Sequence, residues 1–593
     1  MNTGYIAGIS RGHNAGVCLL HNGKIVFALE EERLSRSKYD GSPLAAMALI
    51  KQYTDKIDFL VISHTSSLES SAPKIEFLND DIYTGLARKL GLIEQRLYSN
   101  GHPQVVDMAG LHHKIHAACA FYRSGWDDAV ALIVDGAGTA FPLSMNNEQS
   151  WFWEVETIID CSYPFNFKTL YKHYASKDPI PGGSAVLPST MLGEPEDTHY
   201  ALLTNNAGIT KVYEAVTEYC GFDGIEAGKT MGLFPYGKPN DKIPKLFLED
   251  TENVLSNRSL FVPRYPQTAL VNQNLYSFLK TANGETNFTL LENRRDLAYA
   301  CQIETQDQVL NLIRRACEMS GKKRVVISGG YGLNCVANYF YLDKLREEGI
   351  EIYVEPISND GGTAIGAALL QYYTISASME KQESTIYLGP DYEYDVEYIE
   401  NLVKDNAGTI TDITEKEIVE LLRNKNIVCM FQGRSENGPR ALGNRSILFD
   451  PTFEDGKDFV NSVKRREYFR PFAGSVLKEY AHEWFDLRGM DQSPHMMYAV
   501  NCQPGIAEKI PSIIHVDGTC RIQTVTKEQN KHFYSLIKEF YNQTGVPVLF
   551  NTSFNLGGDP LVETLDDAIR TLKHSKIEYL FLPEHNKLIK ISN

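Results

Sequence analysis

Ten cysteines are present, yet no CxxC pair occurs among Cys18, Cys119, Cys161, Cys220, Cys301, Cys317, Cys335, Cys429, Cys502 and Cys520. Most have apolar neighbours, as in GVCLL and IVCMF. They read as reduced, buried, small hydrophobes of a cytoplasmic protein. Long apolar runs are missing too. VALIV at 130–134 and VPVLF at 546–550 are strand-length, well short of the roughly 20 residues that cross a bilayer, so no membrane association is expected. The opening MNTGYIAGISRGHNAG lacks a basic region followed by an apolar stretch, so a secretory signal is not expected. Basic residues are in deficit, 58 against 75 acidic, for a formal charge of −17. That balance argues against a broad nucleic-acid or anionic-membrane surface, although it leaves room for a local basic pocket. There is no P-loop, no GxGxxG, no short repeat and no low-complexity tract.

What is present is ordinary globular material. The 593 residues, 43% hydrophobic and 22% charged, suggest two to four domains. YIAGIS, GVCLLHNG and KIVFALEEE read as strands, the last two joined by a hairpin turn at His21–Gly23. DDAVALIVDGAG, RVVISGGYGLN and IEIYVEPISNDGG each read as a buried strand ending in a glycine turn. The polar stretch 375–391 reads as a linker. Beyond it come a helix (VEYIENLVKD), a strand (NIVCMFQG), a basic stretch, a strand (VPVLFNTSFN) and a helix (LDDAIRTLKHSKI). Residues 150–300 carry several Pro-, Gly- and Asn-rich loops.

Three constellations carry chemistry. His112 and His116 are four apart, which on a helix puts both imidazoles on one face. Asp135 and Asp360 end predicted strands. Two His with two Asp suit a divalent metal such as Fe, Mn or Zn. The alternative is a helix with exposed histidines and two turn-capping aspartates. Second, the glycine turns at 328–335 and 358–367, with a third glycine-containing segment at 226–237, suit a nucleotide cleft between two related α/β lobes of the actin-like ATPase kind. Gly329, Gly330, Asn334, Gly361 and Gly362 are the nucleotide-binding candidates there, and Lys229 supplies a catalytic cation. Third, Arg434, Arg440, Arg445, Lys464, Arg466, Arg470 and Arg521 concentrate positive charge in an acidic chain. Ser553 and Asn555 add short donors. Arginine forks suit phosphate and carboxylate oxygens, and the interleaved apolar residues point to a pocket rather than a solvated face.

GIS-x-x-HNAG with EEERLSRSK, the HHxxHA segment, GGYGLNCVAN, SNDGGTAIGAA, GPRALGNRSILFDP, VKRREYFRPFA and GVPVLFNTSFNLGGDPLV resemble the O-carbamoyltransferases, from about residue 5 to 585. The resemblance implies an α/β protein of two domains: an actin-like carbamoyl-transfer domain over 1–380 and an α+β, YrdC-like domain over 386–593. It implies that the second domain makes carbamoyl-adenylate from carbamoyl phosphate and ATP, ATP entering with Mg. In the first, a metal then assists transfer to an acceptor hydroxyl. That metal is expected to be iron(II), with manganese or zinc as alternatives, held by His112, His116, Asp135 and Asp360. His13, after the first strand, is the candidate to take the acceptor's proton. The acceptor is expected to be a sugar or small natural product. The alternative is the hydroxymethyl group of a modified pyrimidine in phage nucleic acid, the one role left for nucleic acid. Tyr331 and Phe234 depart from the residues common at their positions and are expected to reshape the acceptor side. A homodimer remains open. A sugar-kinase-like ATPase and a non-enzymatic tRNA- or partner-binding module are the competing classes.

Overall fold

The computed structural model describes the chain except residues 1–2, 75–79, 96–101, 146–147, 177–183, 188–200, 205–207, 244, 249–257, 260, 264–267, 271–291 and 592–593. It falls into two compact units, 1–31 with 41–384, and 32–40 with 385–593.

The first unit is built on two mixed sheets. Strands β1 (Tyr5–Ser10), β2 (Gly16–His21), β3 (Lys24–Glu30), β4 (Phe59–Ser63) and β5 (Val105–Asp107) lie in the order β3-β2-β1-β4-β5. The hairpins β1/β2 and β2/β3 are antiparallel, whereas β1/β4 and β4/β5 are parallel. The second sheet repeats that plan. Its strands β6 (Asp128–Val134), β7 (Glu148–Ser162), β8 (Asn166–Ser176), β9 (Arg324–Ser328) and β10 (Glu351–Val354) run β8-β7-β6-β9-β10, again two antiparallel pairings and then two parallel ones. Further strands extend it beyond β8. Two sheets with one connectivity make the two related lobes expected of an actin-like fold.

Helix α1 (His112–Arg123) and helix α2 (Gly361–Ser376) form the buried middle of this unit. Their close approach is written in the sequence. A Cβ on Gly362 would meet the Ile357 carbonyl oxygen at 2.1 Å, and one on Gly366 would meet that of Ile115 at 2.1 Å. Two glycines four apart therefore let α2 lie backbone-to-backbone against its neighbours. Arg123, at the far end of α1, pairs with Glu355 at 3.2 Å, both side chains fully buried. Nine of the ten cysteines are buried, Cys502 is partly so, and all ten are free.

The second unit is a mixed sheet of ten strands among the described residues. Its middle is β11 (Val428–Phe431), β12 (Arg445–Phe449), β15 (Val548–Ser553), β13 (Ala473–Leu477) and β14 (Thr519–Val525), in that spatial order. Helix α3 (Gly456–Lys464) leads into the arginine-rich turn. Residues 32–40 belong to this unit although the chain on either side belongs to the first. Arg33 Nη2 donates to the Gly438 carbonyl at 2.8 Å. Arg36 donates to the carbonyls of Leu561 at 2.6 Å and Pro560 at 3.0 Å.

Candidate functional site

The carboxyl ends of parallel strands are where an α/β sheet opens its backbone to ligands, and the first unit gathers its polar side chains there. Asp135 follows β6. Asp360 immediately precedes α2. His112 and His116 lie on α1, whose first backbone N–H is met by Thr139 Oγ1 at 3.3 Å. His112 Nε2 is 3.5 Å from both Asp135 Oδ2 and Asp360 Oδ1, and His116 Nε2 is 3.4 Å from Asp360 Oδ1. One ligand atom from each of the four lies within 4.8 Å of the other three. The structure thus brings the two histidines and two aspartates together.

Charge is unbalanced at this point. Burial opposes an imidazolium, but the hydrogen bonding and charge of Asp135 and Asp360 push His112 up to about 10. Burial likewise opposes the carboxylates, yet His112 and His116 hold Asp135 and Asp360 below the ordinary range. The buried Nε2 atoms of His112 and His116 meet these carboxylate oxygens only at 3.4–3.5 Å, without a well-formed hydrogen bond. Two carboxylates that force a proton onto an imidazole, with ring nitrogens left unsatisfied, are a donor set that fits a divalent cation. His113 projects elsewhere, its Nδ1 2.7 Å from Thr157 Oγ1.

The remaining candidates of this unit have mixed fates. His13 stands at the rim, half exposed, Nδ1 3.9 Å from Asp360 Oδ2. Gly330 donates its N–H to Asp135 Oδ1 at 3.0 Å. Gly329 adopts a left-handed φ of 89° and packs against the Val134 backbone. Asn334 caps the following helix by accepting from the Ala337 N–H, and its amide also bonds Gln302. Gly361 packs against Glu30. The segment 226–237 is not a glycine turn. It runs as a helix, Ala227–Leu233, flanked by 3-10 turns, because its glycines sit inside helical backbone. Lys229 lies on that helix, 2.7 Å from Glu226 and over the Phe222 ring. Tyr331 and Phe234 are buried. The Tyr331 hydroxyl donates to Thr305 at 2.9 Å.

In the second unit the expected arginine pocket divides into two groups. Arg445 is fully buried. It donates to the carbonyls of Gln432, Gly433, Asn444 and Glu563, and lies 3.7 Å from the Phe431 ring centroid. Arg434 donates to the carbonyls of Gly389 and Leu388. These two tie loops together. Lys464, Arg466, Arg470 and Arg521 instead lie near enough for their charges to interact. Lys464 donates to the Ser553 carbonyl and sits 3.3 Å from Ser553 Oγ and 3.2 Å from Asn555 Oδ1. Arg466 is held flat over Phe472 by Asn461 and the Pro471 carbonyl. Burial first, then the charges of Arg466 and Arg470, hold Lys464 well below the usual lysine range. Arg466 is lowered by burial and by Arg470 and Arg521. Cations gathered this closely make a cradle for a multiply charged anion. Arg440 is partly buried, two residues beyond the Gly438 carbonyl that receives Arg33.

Family models supply the name. The Carbamoyltransferase N-terminus model matches residues 63–369 and the Carbamoyltransferase C-terminus model residues 419–588. The chain belongs to the carbamoyltransferase family. Nodulation protein NolNO of Sinorhizobium fredii is 29% identical over 596 residues, covering 96% of this chain and 78% of its own length. Nodulation protein NolO of Bradyrhizobium diazoefficiens is 30% identical over 478 residues, covering 79% and 77%. Among solved structures, full-length HypF in its phosphate- and nucleotide-bound form aligns at 13% identity with a TM-score of 0.36, over 63% of this chain and 56% of that one. As a carbamoyltransferase, the protein is a group-transferring enzyme. Among its described residues no helix is long and apolar enough to cross a membrane.

Sequence reasoning missed His64. It follows β4 directly, and only its place after a strand parallel to β1 could have singled it out.

Proposed function

We propose that this carbamoyltransferase is ATP-dependent and works in two half-reactions. The second unit, read as YrdC-like, forms carbamoyl-adenylate. The first passes the carbamoyl group to an acceptor hydroxyl on a sugar or small natural product. The observation that carries the reading is the convergence of His112, His116, Asp135 and Asp360 within 4.8 Å.

In the second unit, Lys464, Arg466, Arg470 and Arg521 bind the dianionic carbamoyl phosphate, with Ser553 and Asn555 orienting Lys464. Water attacks its phosphorus, the bond from phosphorus to the carbamoyl oxygen breaks, and inorganic phosphate and carbamate result. A carbamate oxygen then attacks the α-phosphorus of ATP, and pyrophosphate departs. The mixed anhydride so formed must be kept from water. In the first unit the acceptor oxygen attacks the carbamoyl carbon and AMP leaves. His13, at the rim, takes the acceptor's proton, and Asp360 beside it orients the imidazole. Asp135 is fixed by the Gly330 N–H. A divalent cation held by the four ligands, iron(II) on the family resemblance, would supply a Lewis acid for the carbamoyl oxygen.

The test is His116→Ala. ATP–pyrophosphate exchange dependent on carbamoyl phosphate should persist. Carbamoyl transfer, read as the mass gain of one carbamoyl group across a panel of aminoglycosides, sugars, nucleosides and hydroxymethylated DNA, should fall about a thousandfold. Loss of neither activity would make His116 a structural histidine.

A further inference from the structure

His64 stands beside the transfer centre with one ring nitrogen committed and the other not. Strands β1 and β4 are parallel neighbours, with Ser10 opposite Ser63. The turns that leave them, Arg11–His13 and His64–Ser66, therefore emerge side by side at the sheet end where Asp360 begins α2. Ser63 Oγ reaches Thr363 Oγ1, in the first turn of α2, at 3.0 Å.

The ring's tautomer is fixed by its partners. The backbone N–H of Ser66 donates to His64 Nδ1 at 3.2 Å and Ser66 Oγ lies 3.0 Å from the same nitrogen, both nearer than the Ser66 carbonyl oxygen at 3.4 Å. A backbone amide can only donate, so Nδ1 carries the lone pair and Nε2 carries the proton. Nε2 faces the Gly12–His13 turn: a Cβ built on Gly12 would lie 3.8 Å from it. Gly12 keeps that face uncovered. Burial, with the charges of Arg11 and His112, holds the imidazole neutral, its pKa down to about 4, while the Ser66 backbone and Asp360 act in the opposite sense. A neutral imidazole donates a hydrogen bond without giving up its proton, which suits a group that must polarise rather than acidify.

We propose that His64 donates its Nε2–H to the carbonyl oxygen of the carbamoyl group during transfer. This rests on the carbamoyl-adenylate reading of the first unit. His64 is thereby a substrate-polarising residue, and His13 is left as the proton acceptor.

The experiment compares two nucleosides, 5′-O-(N-carbamoylsulfamoyl)adenosine, which carries the carbamoyl carbonyl, and 5′-O-sulfamoyladenosine, which lacks it. Histidine-selective nitrogen-15 spectra of the full chain identify the His64 signals by their loss in His64→Gln. The wild-type ring should show Nε2 protonated and Nδ1 bare at neutral pH. Its Nε2–H should shift with the first nucleoside and not with the second. Affinity is read at the His13 and His112 signals, which report this site alone. His64→Phe should bind the carbamoyl-bearing nucleoside about tenfold more weakly and the other unchanged. His64→Gln, which keeps an N–H donor, should stay within about threefold of wild type. An Nδ1-protonated ring, equal response to both nucleosides, or full affinity in His64→Phe overturns the proposal. A wild-type protein whose histidines respond to neither nucleoside overturns the carbamoyl-adenylate reading of this unit, and the proposal with it.

Discussion

Asp135 Oδ1 accepts the backbone N–H of Gly330 at 3.0 Å, so the carboxylate that faces His112 is aimed by the glycine turn of the neighbouring strand. Ligands gain affinity and geometry from such outer partners. Two candidate features of the sequence, a metal-type aspartate and a glycine turn, are here one structure.

Metal analysis should find one divalent ion per chain. His112→Ala should lose most of it while keeping a native circular-dichroism spectrum. Full occupancy in that variant would remove His112 from the ligand set.

Gly362→Val should cost about 1–3 kcal/mol, the usual penalty of overpacking. Any Cβ there meets the Ile357 carbonyl, which is backbone and yields only if α2 shifts. Because Asp360 immediately precedes α2, bound metal should fall together with the melting temperature. A variant that melts lower yet retains wild-type metal would separate α2 packing from ligand placement.

The two arginine groups should behave oppositely. Arg445→Met leaves four carbonyls without their shared cationic donor and takes one of two arginine charges from the buried Glu563, and should destabilise by about 3–5 kcal/mol. Arg470→Ala should melt within about 1 kcal/mol of wild type and lose affinity for inorganic phosphate. Equal phosphate binding in Arg470→Ala and wild type would take that arginine out of the cradle.

Lys464 gives phosphate binding an alkaline limit. Its pKa in the free protein is depressed by burial, Arg466 and Arg470. A bound dianion favours the ammonium and raises it again, so binding takes up a proton in the interval between the two values. Affinity should be full below the depressed pKa and fall as pH rises through it, by up to about tenfold per pH unit. Calorimetry in two buffers of different ionisation enthalpy reads the proton directly. Lys464→Met should bind more weakly at neutral pH and show no such limb; an unchanged limb would assign it to another group.

Much of this was legible. The His112/His116 spacing and the strand-terminal positions of Asp135 and Asp360 named four residues, and buried strands fixed the ends on which the aspartates sit. Their convergence depends on α1 and α2 packing through Gly362 and Gly366, which no local pattern reports. The arginines were read as one pocket because sequence gives charge density but not reach. Arg445 turns inward onto Phe431 and four carbonyls, whereas Arg470 joins the cradle. At 226–237, glycines suggested a turn, but local helical hydrogen bonding prevailed over glycine's weak helix propensity. His64 stood alone in SHTSS with no spacing partner, and gained meaning only from the β1/β4 pairing.

The excursion of residues 32–40 makes a further prediction. A fragment of residues 385–593 lacks Arg33 and Arg36 and should melt lower than one carrying 32–40 on a flexible tether. Equal melting of the two would show that the segment is ornamental to that unit.

The same excursion imposes an order on biosynthesis. Residues 32–40 leave the ribosome long before the strands and loops that receive them, from Gly438 to Asp567 opposite Arg36. For most of translation the first unit carries this short arginine-bearing loop without its acceptor carbonyls. The two units cannot mature as beads finished in turn: residues 32–40 complete the folding of a unit that is synthesised long after them.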